Sequence, residues 1–308
     1  MTVAELSRFL DQSNGTNAHI KLLCNTCVER SDCSRESDRT SIHSAIQQTV
    51  GFDNLNRSIV EVMEKWMMQQ FEQQAETVDE EDSHTTKMQM ANLLSDQGRY
   101  DEALALEQQI VAHFKKTLPV NHPNIGLAMS NLAISYRQVN RHQEALELHK
   151  EALPILEKAL EPNDPSIGRE YGNMGACYQG LRNASDCLRL HKQALQWRRQ
   201  HLPQDDPAIG MALFSVAAAY ALSRRPDLAV QWGQDAVEFQ LRVLPPNHPD
   251  IADTLVNLSM NLSKCDRHAE AVTAIENAVA LLKRVRSPHH PSLIFALDVQ
   301  QKIHLYAA

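Results

Sequence analysis

Residues Asn121 to Glu161 read NHPNIGLAMSNLAISYRQVNRHQEALELHKEALPILEKALE, and versions of this stretch return at a fixed step through most of the chain. Pro123, in its opening tripeptide, is followed by Pro165, Pro207, Pro249 and Pro291, each forty-two residues after the one before. A period of that length marks an array of helical units stacked on one another, in which chain length counts repeats instead of setting the size of a single core.

Within a unit the residues account for two helices. The residue before a proline is pushed out of helical geometry, as an N-cap must be, while proline at the first helical position gives up only an N–H that has no partner anyway. Asp164 and Asp206 are strong caps; His122, His248 and His290 are weaker ones. Helix A then carries Leu132, Ala133 and Tyr136 on one face, matched by Met174, Gly175 and Tyr178 and by Val216, Ala217 and Tyr220. The small middle residue admits a close neighbour. Turns at Val139-Asn140-Arg141 and Leu181-Arg182-Asn183 lead into helix B, which runs from near His142 to about Leu160. Its small positions are Ala103, Ala145, Cys187, Ala229 and Ala271, then Ala152, Ala194, Ala236 and Ala278. Lys158, Arg198, Arg199, Arg242, Lys283 and Arg284 fall in the last turns of helices B, where positive charge opposes the helix dipole.

The first unit lacks the proline but keeps the rest, because Ala103 lies forty-two residues before Ala145. The expected organisation is an array over 83–308, made of five helix pairs and a terminal helix. It follows a helix and acidic linker over 53–82 and a non-repeat segment over 1–52. Asp53 caps the helix, whose apolar stripe includes Leu55, Ile59, Val62, Trp66 and Phe71. The fold class is all-α, a right-handed superhelical solenoid of antiparallel helix pairs with a small non-repeat helical N-terminal region.

Charge narrows the function. The 308 residues carry a formal net charge of −8, with 38 acidic against 30 basic side chains. That balance disfavours nucleic acid and anionic membrane as general partners. No apolar run approaches the roughly 20 residues needed to span a bilayer, so a soluble, cytoplasmic chain is expected. Cys177, Cys187 and Cys265 sit at helical positions and read as buried thiols. Cys24, Cys27 and Cys33 with His43 form the one metal-like cluster, but a second compact pair is missing, and free thiols are the better reading than zinc. His289-His290 is placed by the repeat as the cap before Pro291. Trp66, Trp197 and Trp232 lie at helical spacing, as core or flank residues do. Acidic residues near histidines recur with the repeat, whereas a catalytic constellation occurs once, so neither an enzyme nor a cofactor is expected.

The small–aromatic–small pattern on two antiparallel helices resembles the tetratricopeptide repeat. The 42-residue form, with HP or DP opening each unit and N-L-A, Y, A-L and A-L inside it, is similar to the repeats of kinesin light chain and its relatives. RTSIHSAIQQTVGFDNLNRSIVEVMEKWM, through Ile42, His43 and Gln47, resembles the end of a winged-helix segment in STAND-type nucleotide-binding proteins, which such repeats often follow. No phosphate loop of the Gly-x4-Gly-Lys-Ser/Thr kind occurs in the chain. These resemblances imply a non-enzymatic scaffold or adaptor. A motor heavy chain or a STAND ATPase is an implied partner, and the sensor end of such an ATPase is an alternative role.

The tetratricopeptide resemblance further implies that A helices line a concave groove, with the residue before the Leu of N-L-A facing it. Carried over position by position, that row is Gln89, Asn131, Asn173, Ser215 and Asn257, with Val299 in the last helix. Neighbours one turn away are Asn92, Ile134, Arg137, Arg169, Gln179, Met211, Phe214, Asp253, Met260 and Lys264. An amide both donates to and accepts from an extended backbone, so this row suits a peptide or protein segment. A basic first half, an apolar middle and a mixed end suit a ligand with an acidic residue beside a large apolar one. The terminal helix shows an apolar face of Leu293, Phe295, Leu297 and Leu305, available to another chain.

Overall fold

The computed structural model describes residues 87–88, 90–91, 94–95, 99–286 and 290–307. The Cys24–Cys27–Cys33–His43 cluster, the helix from Asp53, the stretch similar to STAND proteins, Gln89, Asn92 and His289 lie outside these residues. The chain forms two compact units, Met1–Gly98 and Arg99–Ala308. All that follows concerns the second.

Among the described residues this unit has ten helices: α1 (Tyr100–Thr117), α2 (Pro123–Gln138), α3 (His142–Ala159), α4 (Pro165–Gly180), α5 (Ala184–His201), α6 (Pro207–Leu222), α7 (Pro226–Val243), α8 (Pro249–Lys264), α9 (His268–Val285) and α10 (Pro291–Ala307). No strand occurs among the described residues. Even-numbered helices are A helices of 16 or 17 residues; odd-numbered ones are B helices of 18 residues, each about 27 Å long. Each helix packs on the one before and the one after, and A helices also touch the next A helix along. The result is an all-α solenoid of antiparallel pairs.

The helix starts are as the prolines require. Asp164 and Asp206 accept hydrogen bonds from the N–H groups of Ser166 and Ala208, both at 2.8 Å. The Nδ1 atoms of His122, His248 and His290 do the same at 3.2 Å. Between A and B the chain reverses through one left-handed residue per unit: Asn140, Arg182, Arg224 and Asp266, with φ of 61°, 55°, 55° and 58°. Helices B are closed at their starts by Arg99, Arg141 and Arg267, each paired with the glutamate three residues on.

Packing between units also repeats. The Nε2 of Gln108 donates to the hydroxyl of Tyr136 at 2.8 Å, and forty-two residues later Lys150 lies over the Tyr178 ring, then Lys192 over Tyr220. Small residues are required where A meets its own B. A Cβ on Gly126 would come within 2.8 Å of Leu156, and one on Gly168 within 2.3 Å of Trp197. The same column continues with Gly210 and the fully buried Ala252, then changes to Ile294, which is 53% exposed.

Three sequence expectations need correction, and a fourth residue, Arg198, has a role beyond the expected one. Leu293 is not part of an open apolar face: it is buried with Ala296, Val299 and Ile303 in the last core cluster, and the exposed residues of α10 are Ile294, Phe295, Leu297 and Leu305. Val299 does not sit openly on the groove, for the same reason. Cys265 is only half-buried, whereas Cys177 and Cys187 are buried and burial raises both thiols to about 11. Arg198 does more than face the dipole of its own helix: its Nη1 donates to the Ala208 carbonyl on α6 at 2.7 Å.

Candidate functional site

Four members of the expected groove row stand on four successive A helices. Asn131, Asn173, Ser215 and Asn257 are all half-buried, at one register position of α2, α4, α6 and α8. Their free hydrogen-bonding capacity differs. Ser215 Oγ donates to the Met211 carbonyl one turn back at 2.9 Å, and Asn257 Oδ1 accepts from Asn261 Nδ2 at 2.9 Å. Asn173 Nδ2 is buried without a partner. None of these contacts ties one A helix to the next, so the row does not serve as inter-helix stitching among the described residues.

Around the row, Arg169, Gln179, Asp253 and Lys264 are exposed or half-buried, and Met211 is 51% exposed. Ile134, Arg137, Phe214 and Met260 are half-buried. Phe214 packs on the α6–α7 core, and Arg137 buries its Nε without a partner. Reduced solvation and the nearby charge of Asp250 push the Asp253 carboxyl up. Met260 and Lys264 meet α10 at a cavity of about 540 Å³, floored by Phe295, Val299 and Ile303 and edged by the Lys302–Asp298 pair at 2.5 Å.

A second set of polar residues lies inside the stack, out of view when the histidines are read as caps or surface groups. In α3, His149 Nδ1 is 2.7 Å from Glu170 Oε2 of α4, with both side chains fully buried. Glu107 of α1 is buried beside Ser135, and its Oε2 has no partner; burial pushes this carboxyl up to about 7. His191 of α5 is buried against Gly175, its Nε2 also unpartnered, and burial together with the charge of Arg198 pulls it down to about 4. Glu107, His149 and His191 are forty-two residues apart, and the column continues as Gly233 and Ile275. The two apolar members are the signal that marks this column as interior. His191 lacks the acid that His149 has because Ala212 stands where the repeat would match Glu170.

Among the described residues no group of three or more His, Cys, Asp or Glu is arranged to hold a metal, and no helix is long and apolar enough to cross a membrane.

Comparison with known proteins agrees with this geometry. Tetratricopeptide repeat models match residues 82–158 in one form and 213–250 and 251–292 in another, together about half of the chain. The chain belongs to the tetratricopeptide repeat proteins. Among solved structures it is similar to a kinesin light chain-like protein of Podospora anserina with nearly identical TPR-like repeats. Identity there is 24% over 66% of this chain and 97% of that one, with a TM-score of 0.56. It is also similar to BtubC (BKLC) from P. vanneervenii, at 15% identity over 74% and 91% and a TM-score of 0.59. A Signal Transduction ATPase with Numerous Domains (STAND) protein with a tetratricopeptide repeat sensor, from Pyrococcus horikoshii, aligns with 98% of this chain at 13% identity and a TM-score of 0.62. This chain spans 48% of that protein's length. A search of curated proteins gave no match.

Proposed function

We propose that the protein is a non-enzymatic scaffold or adaptor whose row of A helices captures an extended segment of another protein. Tetratricopeptide arrays are protein-interaction scaffolds. The observation that carries the reading is the row Asn131, Asn173, Ser215 and Asn257, reachable on adjacent helices and not used to join them. Amides spaced in this way pair with backbone N–H and C=O groups and so accept segments of varied sequence. Arg137 and Arg169 at the α2–α4 end, exposed Met211 with Phe214 in the middle, and the cavity beside Met260 and Lys264 favour a segment with an acidic residue beside a large apolar one.

The test is a peptide-array screen with the full chain and with a triple variant, Asn131→Ala, Asn173→Ala and Asn257→Ala. The reading expects the variant to lose at least about tenfold in affinity, the scale of a few lost hydrogen bonds. Unchanged binding across the array would remove the groove assignment.

The alignment along nearly the whole chain with a STAND protein favours a second reading, in which the array is the sensor portion of a regulatory ATPase or acts with one in trans. Co-purification with a nucleotide-binding protein of that class supports it; recovery of a motor heavy chain instead supports a cargo-adaptor role.

A further inference from the structure

Helix α4 is built unlike the other A helices. Gly168, Gly172, Gly175 and Gly180 make up four of its sixteen residues, whereas α2 and α6 hold one glycine each and α8 and α10 hold none. Gly168 belongs to the column of Gly126 and Gly210 and is required by packing. The other three are not set by the repeat: their counterparts in α6 and α8 are Phe214 and Val256, Ala217 and Ser259, and Leu222 and Lys264. Glycine gives up more backbone freedom in a helix than any of these, which lowers the helical equilibrium by about twofold to fivefold per residue.

The rest of α4 offsets little of that loss. Its buried side chains are Ile167, Glu170, Met174 and Cys177, while α6 buries Ile209, Leu213, Val216 and Tyr220 together with three alanines. The neighbours hold α4 partly by laying rings on its bare backbone. A Cβ on Gly180 would lie 2.5 Å from the His142 ring of α3, and one on Gly175 would lie 2.7 Å from the His191 ring of α5. Polar atoms are buried without partners around these contacts: His142 Nδ1, His149 Nε2 and His191 Nε2, with Asn173 Nδ2 on α4 itself. Glu170 is buried against His149 at 2.7 Å, and a polar pair taken out of water adds little net stability. On the α3 side, Pro154 also removes a backbone hydrogen bond. In a stack where each helix rests on near neighbours, stability is local, and the weakest helix sets where the interior opens.

We propose that α4 is a hinge built into the array: it unfolds locally ahead of α6 and α8, and so divides the stack into α1–α3 and α5–α10. Opening takes Asn173 out of the row and leaves Asn131 and Ser215 on separate blocks. A segment lying across all three would have to close α4, which couples its capture to the order of this helix. Only that consequence rests on the groove reading; the hinge stands on the composition and packing of α4.

Native-state hydrogen exchange of the unbound full chain, resolved helix by helix with mass spectrometry, tests it. Amides of α4 are expected to open at least about tenfold more often than those of α6 and α8. Equal or greater protection of α4 overturns the hinge. Gly172→Ala gives the second reading, since its Cβ would meet no atom of another helix nearer than Arg198 Nη2, at 3.7 Å. The variant should slow α4 opening about fivefold and leave α8 opening unchanged. An unchanged α4 rate overturns the hinge, because glycine would then not limit the helix. Equal slowing in every helix overturns it too, because the array would then open only as a whole. No segment is present in these measurements, so a failed peptide array leaves the hinge in place, and a well-protected α4 leaves the groove in place.

Discussion

Glu107 and His191 sit in one column of the stack, and their titrations should pull stability in opposite directions as pH changes. Burial raises the Glu107 carboxyl from 4.5 to about 7, so the folded state holds a proton that the unfolded chain releases above its ordinary carboxyl value. Its contribution is present at low pH and is lost as pH rises towards 7. His191 is lowered from 6.5 to about 4, so the unfolded chain takes up a proton that the folded state refuses. Its contribution is present above 6.5 and is lost as pH falls towards 4. Between about pH 7.5 and about pH 5 linkage gives each group roughly 2 kcal/mol, with opposite signs, and in the wild type they largely cancel. Urea unfolding of wild type, Glu107→Gln and His191→Gln at those two pH values separates them. Relative to wild type, the pH change from 7.5 to 5 should cost Glu107→Gln about 2 kcal/mol and should favour His191→Gln by about as much. The comparison uses changes within each variant, so any packing defect of a substitution drops out. If both variants follow the wild-type change to within about 0.5 kcal/mol, the buried column does not titrate as described.

Two further substitutions probe the scaffold. Pro154 lies inside α3 and leaves the Lys150 carbonyl without its helical donor, while the same position is Ala112 in α1 and Ala280 in α9. Pro154→Ala should therefore stabilise by about 2 kcal/mol, read as a higher melting temperature in a calorimetric scan. A lower one would mean that the proline ring fills a place in the packing that alanine leaves empty. Gly168→Ala should lose about 2 kcal/mol, because its Cβ would lie 2.3 Å from Trp197 Cε3 and the indole must leave its place. Near-wild-type urea unfolding of that variant, with unchanged Trp197 fluorescence, would show that the α4–α5 contact is looser than described.

The scaffold is readable from sequence because its rules recur. A proline every forty-two residues, a capping side chain before it and small residues at fixed offsets each have one physical meaning, and each is repeated often enough to be seen. The interior polar groups are harder to see. His149 looks like a surface histidine until Glu170 is brought against it by the next unit, and that pairing depends on which faces meet between neighbours. Arg198 reads as a favourable charge in a last turn, although Leu156 and Leu282 in the same column already indicate an inward position. The groove residues stand between these cases. Register identifies Asn131, Asn173 and Asn257 as equivalent, while only the structure shows that Ser215 spends its hydroxyl within its own helix and that Val299 is covered.

Ile294 changes what α10 can accept in this register. In the internal units Gly126, Gly168 and Gly210 let a helix B settle against its own helix A, with Leu156 or Trp197 occupying the space a side chain would need. A helix offered to α10 in that same register would meet a branched side chain there instead. The column therefore works as a fit rule: glycine or alanine leaves the space that a helix B side chain fills, and isoleucine at 294 occupies that space itself. Ile294→Gly would open on α10 the same seat that Gly126 offers to Leu156.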